Sequence, residues 1–242
     1  MRRIAFLIVV GVLACACSSA RADEQCTCQA CVFMMDAHAS RPVIASPDRS
    51  KHVELWTTAK VRDRGSENGK FYASIYGGAR RLTTIELRDL SAATFVKWSA
   101  DSKEFYVMWS DGGVVGGYRV RAFIVNEDQA NESPAPKAVA TNFAKHHYCK
   151  MRGNNMYAIR WEGWSKQLIL RPEVYPASDC GEIMGFASGY LVDLESGAVK
   201  AQYTADQINE VFQSCPSAVL PSAFATQEAV EDHLRRRGEA TK

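Results

Sequence analysis

The chain has 242 residues, 47% of them hydrophobic and 23% charged, with a formal net charge of +2. Setting aside the first 22 residues leaves 26 basic residues against 27 acidic ones, a balance that argues against nucleic acid or an anionic membrane as partner, since phosphate binding needs concentrated Lys and Arg. No later segment is long or uncharged enough to cross a bilayer, and about 220 remaining residues suffice for one well-buried domain or two small ones.

Residues 1–22 read as an export signal. Arg2 and Arg3 precede an apolar run from Ile4 to Ala14, and Ala20-Arg21-Ala22 supplies the small-x-small pattern of a cleavage site. The mature chain is then expected to begin at Asp23, in the periplasm or outside the cell. Cys15 and Cys17 follow lipoprotein-like residues, so a lipid anchor on one of them is the alternative. Leu13 and Ala14 respectively occupy positions where that pattern fits imperfectly, which places ordinary cleavage ahead.

Residues 23–40 form a cysteine-rich segment with Cys26, Cys28 and Cys31; Cys149, Cys180 and Cys215 complete the six outside the signal. An even number of cysteines in an oxidising compartment reads as a disulfide framework, although spacing does not choose the partners. Cys149 and Cys180 flank one β unit and are expected to pair. Cys215 would then join the C-terminal region to the Cys26–Cys31 segment. A thiolate metal site at Cys26-x-Cys28-x-x-Cys31 with His38, or at His146-His147-x-Cys149, is the competing reading, and neither has the paired spacing of a strong zinc motif.

Residues 41–216 carry a repeated unit. Val96 to Val107 aligns without gaps on Ile159 to Leu170: aliphatic, basic, Trp, a turn, Ser-Lys, polar, then three apolar residues. A relative appears at Ser46-Pro47-Asp48-Arg49-Ser50-Lys51, leading into His52 to Trp56. Each copy reads as strand, tight turn, strand. Ser46-Pro47-Asp48 and Trp98-Ser99-Ala100-Asp101-Ser102-Lys103 resemble the Trp-Ser-Pro-Asp-Gly-Lys turn of bacterial periplasmic β-propellers such as that of the Tol-Pal system. The resemblance covers three short turns. Gly is absent from the tight-turn position, and three units fall short of the usual roughly four to eight blades. The expected fold is therefore all-β, with propeller-like or sandwich-like antiparallel sheets and one or two short C-terminal helices.

Between these units, Lys70 to Tyr76 and Arg80 to Leu87 flank Gly77-Gly78 as a hairpin, and Tyr118 to Asn126 reads as a strand. Residues 126–137, with Asn131, Pro134 and Pro136, read as a polar exposed loop, and Ser188-Gly189 as a turn. Tyr190 to Leu194 and Ala198 to Tyr203 flank Glu195-Ser196-Gly197 as a further hairpin. Thr204-x-x-Gln207 is a capping box opening a helix with Ile208, Val211 and Phe212 on one face, which Pro216 stops. Residues 217–242 form a tail with a second helix, Thr226 to Arg237, whose Arg235-Arg236-Arg237 complements the helix dipole.

No catalytic, cofactor or metal residue is assigned. Asp111-Gly112-Gly113-Val114-Val115-Gly116-Gly117 lacks the Lys of a P-loop and lies between strands, so it reads as a hairpin loop. Asp179-Cys180 with His146 and His147 could make a thiolate nucleophile and base, but a disulfide at Cys180 would silence it. Three functions stand. The favoured one is a non-enzymatic binding module of the bacterial envelope, of inhibitor or immunity type, recognising another envelope or secreted protein. Its support is compositional, since five Trp, nine Tyr and ten Phe exceed the needs of a small core and exposed aromatics serve as anchors. The others are a hydrolase with a site assembled from β-domain loops, and metal binding by the N-terminal cysteines.

Overall fold

The computed structural model describes residues 30–33, 41–58, 70–88, 93–110, 117–147, 149, 153–163 and 166–213. They build three antiparallel sheets. The first is the meander β2(Val43–Ala45), β3(Lys51–Thr57), β4(Phe71–Gly77) and β5(Arg80–Leu87). The second runs β6(Ala93–Trp98), β7(Glu104–Ser110), β8(Tyr118–Val125) and β9(Ala130–Glu132), with β1(Ala30–Phe33) added beside β6. The third is β10(Asn154–Glu162), β11(Gln167–Val174), β12(Gly189–Asp193) and β13(Val199–Tyr203).

The second sheet lies between the other two. Val96, Trp98, Phe105, Val107, Trp109, Phe123 and Val125 pack with Val53, Leu55, Ala73 and Ile75 of the first sheet. From the opposite face, Phe95, Tyr106, Met108, Val120 and Ala122 pack with Tyr157, Trp161, Leu168 and Leu170 of the third. Every residue of β7 is consequently buried. A strand covered on both faces reads as a continuous apolar run rather than an alternating one, and β7 carries Phe105-Tyr106-Val107-Met108-Trp109. The second sheet also explains the aromatic content: Trp98, Trp109, Trp161, Phe105, Phe123, Tyr106 and Tyr157 are core residues, not the surface anchors that composition suggested.

The repeat read from the sequence reappears as register. Ala45 pairs with His52, Trp98 with Phe105 and Trp161 with Leu168, so the three hairpins place equivalent residues opposite each other. In the first two, one turn design recurs. The Ser46 hydroxyl donates to the Asp48 carboxylate and accepts from the Lys51 amide, and Ser99 does the same with Asp101 and Glu104. Serine and aspartate favour such turns because their short side chains replace backbone hydrogen bonds. The third turn differs: among its described residues, Gly163 and Lys166 are left-handed.

The hairpins 71–77/80–87 and 189–193/199–203 form as expected. Two local readings are corrected. The stretch 126–137 is not simply a loop, because it contains β9 and opens the helix α1(Ala135–Ala144). Its prolines punctuate without excluding a helix: Pro136 occupies the first turn, where the missing N–H has no partner to lose. Ala135, Pro136, Val139 and Phe143 then fall on one buried face, and the Ser133 hydroxyl both accepts from the Ala135 amide and donates to the Leu194 carbonyl. One of the two described helices is therefore internal, not C-terminal. Ser188-Gly189 is likewise no turn: Gly189 opens β12, where a side chain would meet Ile208 at 2.6 Å.

Ile208 belongs to the second helix, α2(Ala205–Gln213), and is fully buried. The predicted capping box is present, with the Gln207 amide donating to the Thr204 hydroxyl and the Thr204 amide to the Gln207 carboxamide oxygen. Residues 226–237 lie outside the described residues. Among those described, no helix is long and apolar enough to cross a membrane.

Candidate functional site

The cysteines singled out at 149 and 180 are bonded to each other, with Cα atoms 4.9 Å apart. Their positions follow from the flanking elements. Helix α1 ends at Ala144, and the His146 and His147 amides both donate to the Phe143 carbonyl. The chain then reaches Cys149, which is buried. From the other side, β11 ends at Val174 and the 3₁₀ segment Ser178–Ile183 carries Cys180. The bond thus clamps the segment after β11 onto the end of α1.

Beyond the clamp the chain projects an apolar tip. Ile183, Met184 and Phe186 are 38%, 50% and 37% exposed, three of the five large hydrophobic residues exposed among the described positions. The backbone holds them in place: the Met184 amide donates to the Gly181 carbonyl, the Phe186 amide to Ile183, and the Gly185 amide to Val174. Gly181 and Gly185 take the left-handed φ values 70° and 74° that glycine permits without strain. His147 stacks on Phe186 with ring centroids 4.1 Å apart, and the Phe143 ring lies 5.2 Å from His147. Partial burial, and secondarily the neighbouring His146, press the His147 pKa below its ordinary value, so a neutral, stackable imidazole prevails at neutral pH.

A cleft of about 370 Å³ opens between β8, α1 and the start of β10. Tyr118, Val120, Met156 and Pro172 give it apolar walls, with Arg119 and Lys137 as cations and Glu132, which pairs with Arg121, as an acid. Asn154 connects cleft and clamp: its side chain donates to the His147 carbonyl at 2.6 Å and accepts from the Cys149 amide. Behind the wall runs a buried polar chain. Asn155 accepts from the Tyr118 amide and donates to the Tyr157 hydroxyl, which donates to Glu173 at 2.9 Å. Arg171 then bonds both Glu173 and Asn209 of α2. Buried networks of this kind orient the elements they join.

The disulfide decides between the chemistries weighed for these residues. Cys149, Asp179 and Cys180 lie close enough together to suggest metal ligands, yet both sulfurs are bonded to each other, which leaves no thiolate to ligate an ion or attack a substrate. His146 is exposed and His147 faces Phe186. Cys31 lies in β1 opposite Phe95; Cys15, Cys17, Cys26, Cys28, Cys215 and residues 111–116 lie outside the described residues. The sequence carried no sign of Asn154, Asn155, Met184 or Phe186 as site residues.

No protein-family model matches the chain, and neither a characterised protein nor a solved structure matches it.

Proposed function

We propose that this chain is an exported, non-enzymatic binding module that engages another envelope or secreted protein through the disulfide-clamped tip Ile183–Phe186. One observation carries the reading: three exposed apolar side chains on four consecutive residues are held by a disulfide, backbone hydrogen bonds and a stacked histidine. Apolar anchors on a preformed loop bind well because little ordering entropy remains to be lost on association. The cleft, linked to the clamp through Asn154, would accept a polar side chain from the same partner.

The disulfide also supports export, since such bonds persist in oxidising compartments. For the body, a propeller-like arrangement is favoured over a sandwich. A two-layer sandwich has no place for a middle sheet covered on both faces, whereas stacked four-strand meanders are how blades pack.

A photoreactive amino acid at position 184, with the exposed position 199 as control, tests the proposal in the native envelope. A discrete protein adduct formed from position 184 and absent from position 199 is expected. No adduct, or the same adducts from both positions, would refute it.

A further inference from the structure

We propose that Glu104 is a proton-operated latch on the seam between the second and third sheets, closed when its carboxyl is neutral and loosened when it ionises. Glu104 opens β7 and lies on the strand face that carries Tyr106 and Met108 toward the third sheet. It is 1% exposed, and neither carboxylate oxygen meets a donor in hydrogen-bonding geometry. On the facing sheet, the buried Trp161 indole N–H is also without an acceptor. A carboxylate in such a place is strongly disfavoured, whereas a carboxylic acid is tolerated.

The repeat sharpens the point. At the equivalent position after the first turn stands Lys51, half-buried, so an inward acid is peculiar to the second hairpin and not demanded by the turn. The charged groups around Glu104 act in opposite directions, and the nearest favours neutrality. On its own turn, Asp101 is the nearest, with Lys103 Nζ 3.9 Å from the Asp101 carboxylate. From the third sheet, Lys166 directs its ammonium to Glu195 at 2.7 Å, near Asp193, with a weaker charge interaction with Glu104, and its backbone amide turns toward Glu104. From the first sheet, Asp48 donates its amide to Ser102 at the adjacent turn. Burial first, and then the Asp101 charge, raise the Glu104 pKa to about 7; the Ser99 hydroxyl and the Lys166 amide offset this only in part.

The sign follows from linkage. The folded chain holds the Glu104 proton up to about pH 7, whereas an unfolded glutamate releases it near about 4.3. Stability from this group is therefore complete below pH 4, declines through the interval and is lost above pH 7 or so.

The test combines a ¹³C carboxyl NMR titration of the wild-type chain with urea unfolding from pH 5 to 8.5 for wild type and Glu104→Gln. The expected Glu104 midpoint lies above pH 6. The wild-type unfolding constant should rise with pH by roughly 100-fold more than that of Glu104→Gln, and amide exchange at Leu168 and Ile169, corrected for the intrinsic rate, should accelerate above pH 7 in wild type alone. A Glu104 midpoint between 4 and 5 overturns the proposal. So does a normal fold with parallel pH profiles for the two proteins. If Glu104→Gln does not fold, the titration midpoint and the wild-type exchange profile decide the matter without it.

Discussion

Arg49 and Ser102 hold the same left-handed backbone position, with φ of 60° and 62°, in two turns of one design. An L-residue there is strained by roughly 1–2 kcal/mol, which glycine escapes. Arg49 is exposed, so Arg49→Gly is expected to raise stability by about 1 kcal/mol in urea unfolding. Ser102 is buried and its hydroxyl accepts from the Asp48 amide. Ser102→Gly should therefore gain little, since the relief of strain is offset by a lost hydrogen bond of similar size. Equal gains at both sites would contradict this contrast.

Trp98 and Trp161 occupy equivalent register positions on different sheets, 3% and 4% exposed. Trp98 packs against Phe105 with its ring tilted and donates to the Ile44 carbonyl across the sheet interface; Trp161 lies against Tyr106. Replacing either by Ala is expected to cost roughly 3–5 kcal/mol. A loss of only a few tenths at one site would show that the repeat does not extend to packing.

The Cys149–Cys180 bond closes a loop with a sequence separation of 31. Chain-entropy estimates give about 3–4 kcal/mol for a loop of that length, so Cys180→Ser should destabilise by this order. Binding through the tip should weaken beyond what the folded fraction explains, because the clamp positions Ile183 to Phe186. Unchanged partner capture by Cys180→Ser at a temperature where it remains folded would separate the tip from the function.

Acid should loosen the first hairpin. The Ser46 hydroxyl, with help from Ser50 and Ser102, holds the Asp48 carboxyl well below the usual carboxylate range. A carboxylate depressed in the folded state stabilises above its unfolded pKa near about 4, and that contribution disappears as pH falls further. Between pH 5 and 2, wild type is expected to lose stability more steeply than Asp48→Asn, as followed by urea midpoints. Parallel profiles would show that the Ser46–Asp48 bond does not persist in solution.

The β-rich body was legible because its signals are local: Ser-x-Asp turns, Gly-Gly and Ser-Gly hairpins, and Trp at fixed offsets. The Cys149–Cys180 pairing was legible because the two residues flank one hairpin. Helix α1 was hidden by Pro134 and Pro136, which mark a loop when read without the apolar spacing of Ala135, Val139 and Phe143. The aromatics misled in the other direction, because a count of rings does not reveal that one sheet must fill two interfaces. The tip was invisible for a different reason. Ile183, Met184 and Phe186 have no periodicity, and their exposure depends on a clamp reaching back to α1 and on a His147–Phe186 stack between residues distant in sequence.

The clamped tip, and its proposed role as a binding face, require a chain that has left the reducing cytoplasm. Intact-mass and peptide analysis of the protein from its native envelope, alkylated before and after reduction, tests this most directly. The expected result is a chain beginning at Asp23, or carrying a lipid on Cys15 or Cys17, with the Cys149 and Cys180 peptides linked until reduction. An unprocessed N-terminus with both cysteines alkylated before reduction would contradict export and remove the clamp on which the binding face depends.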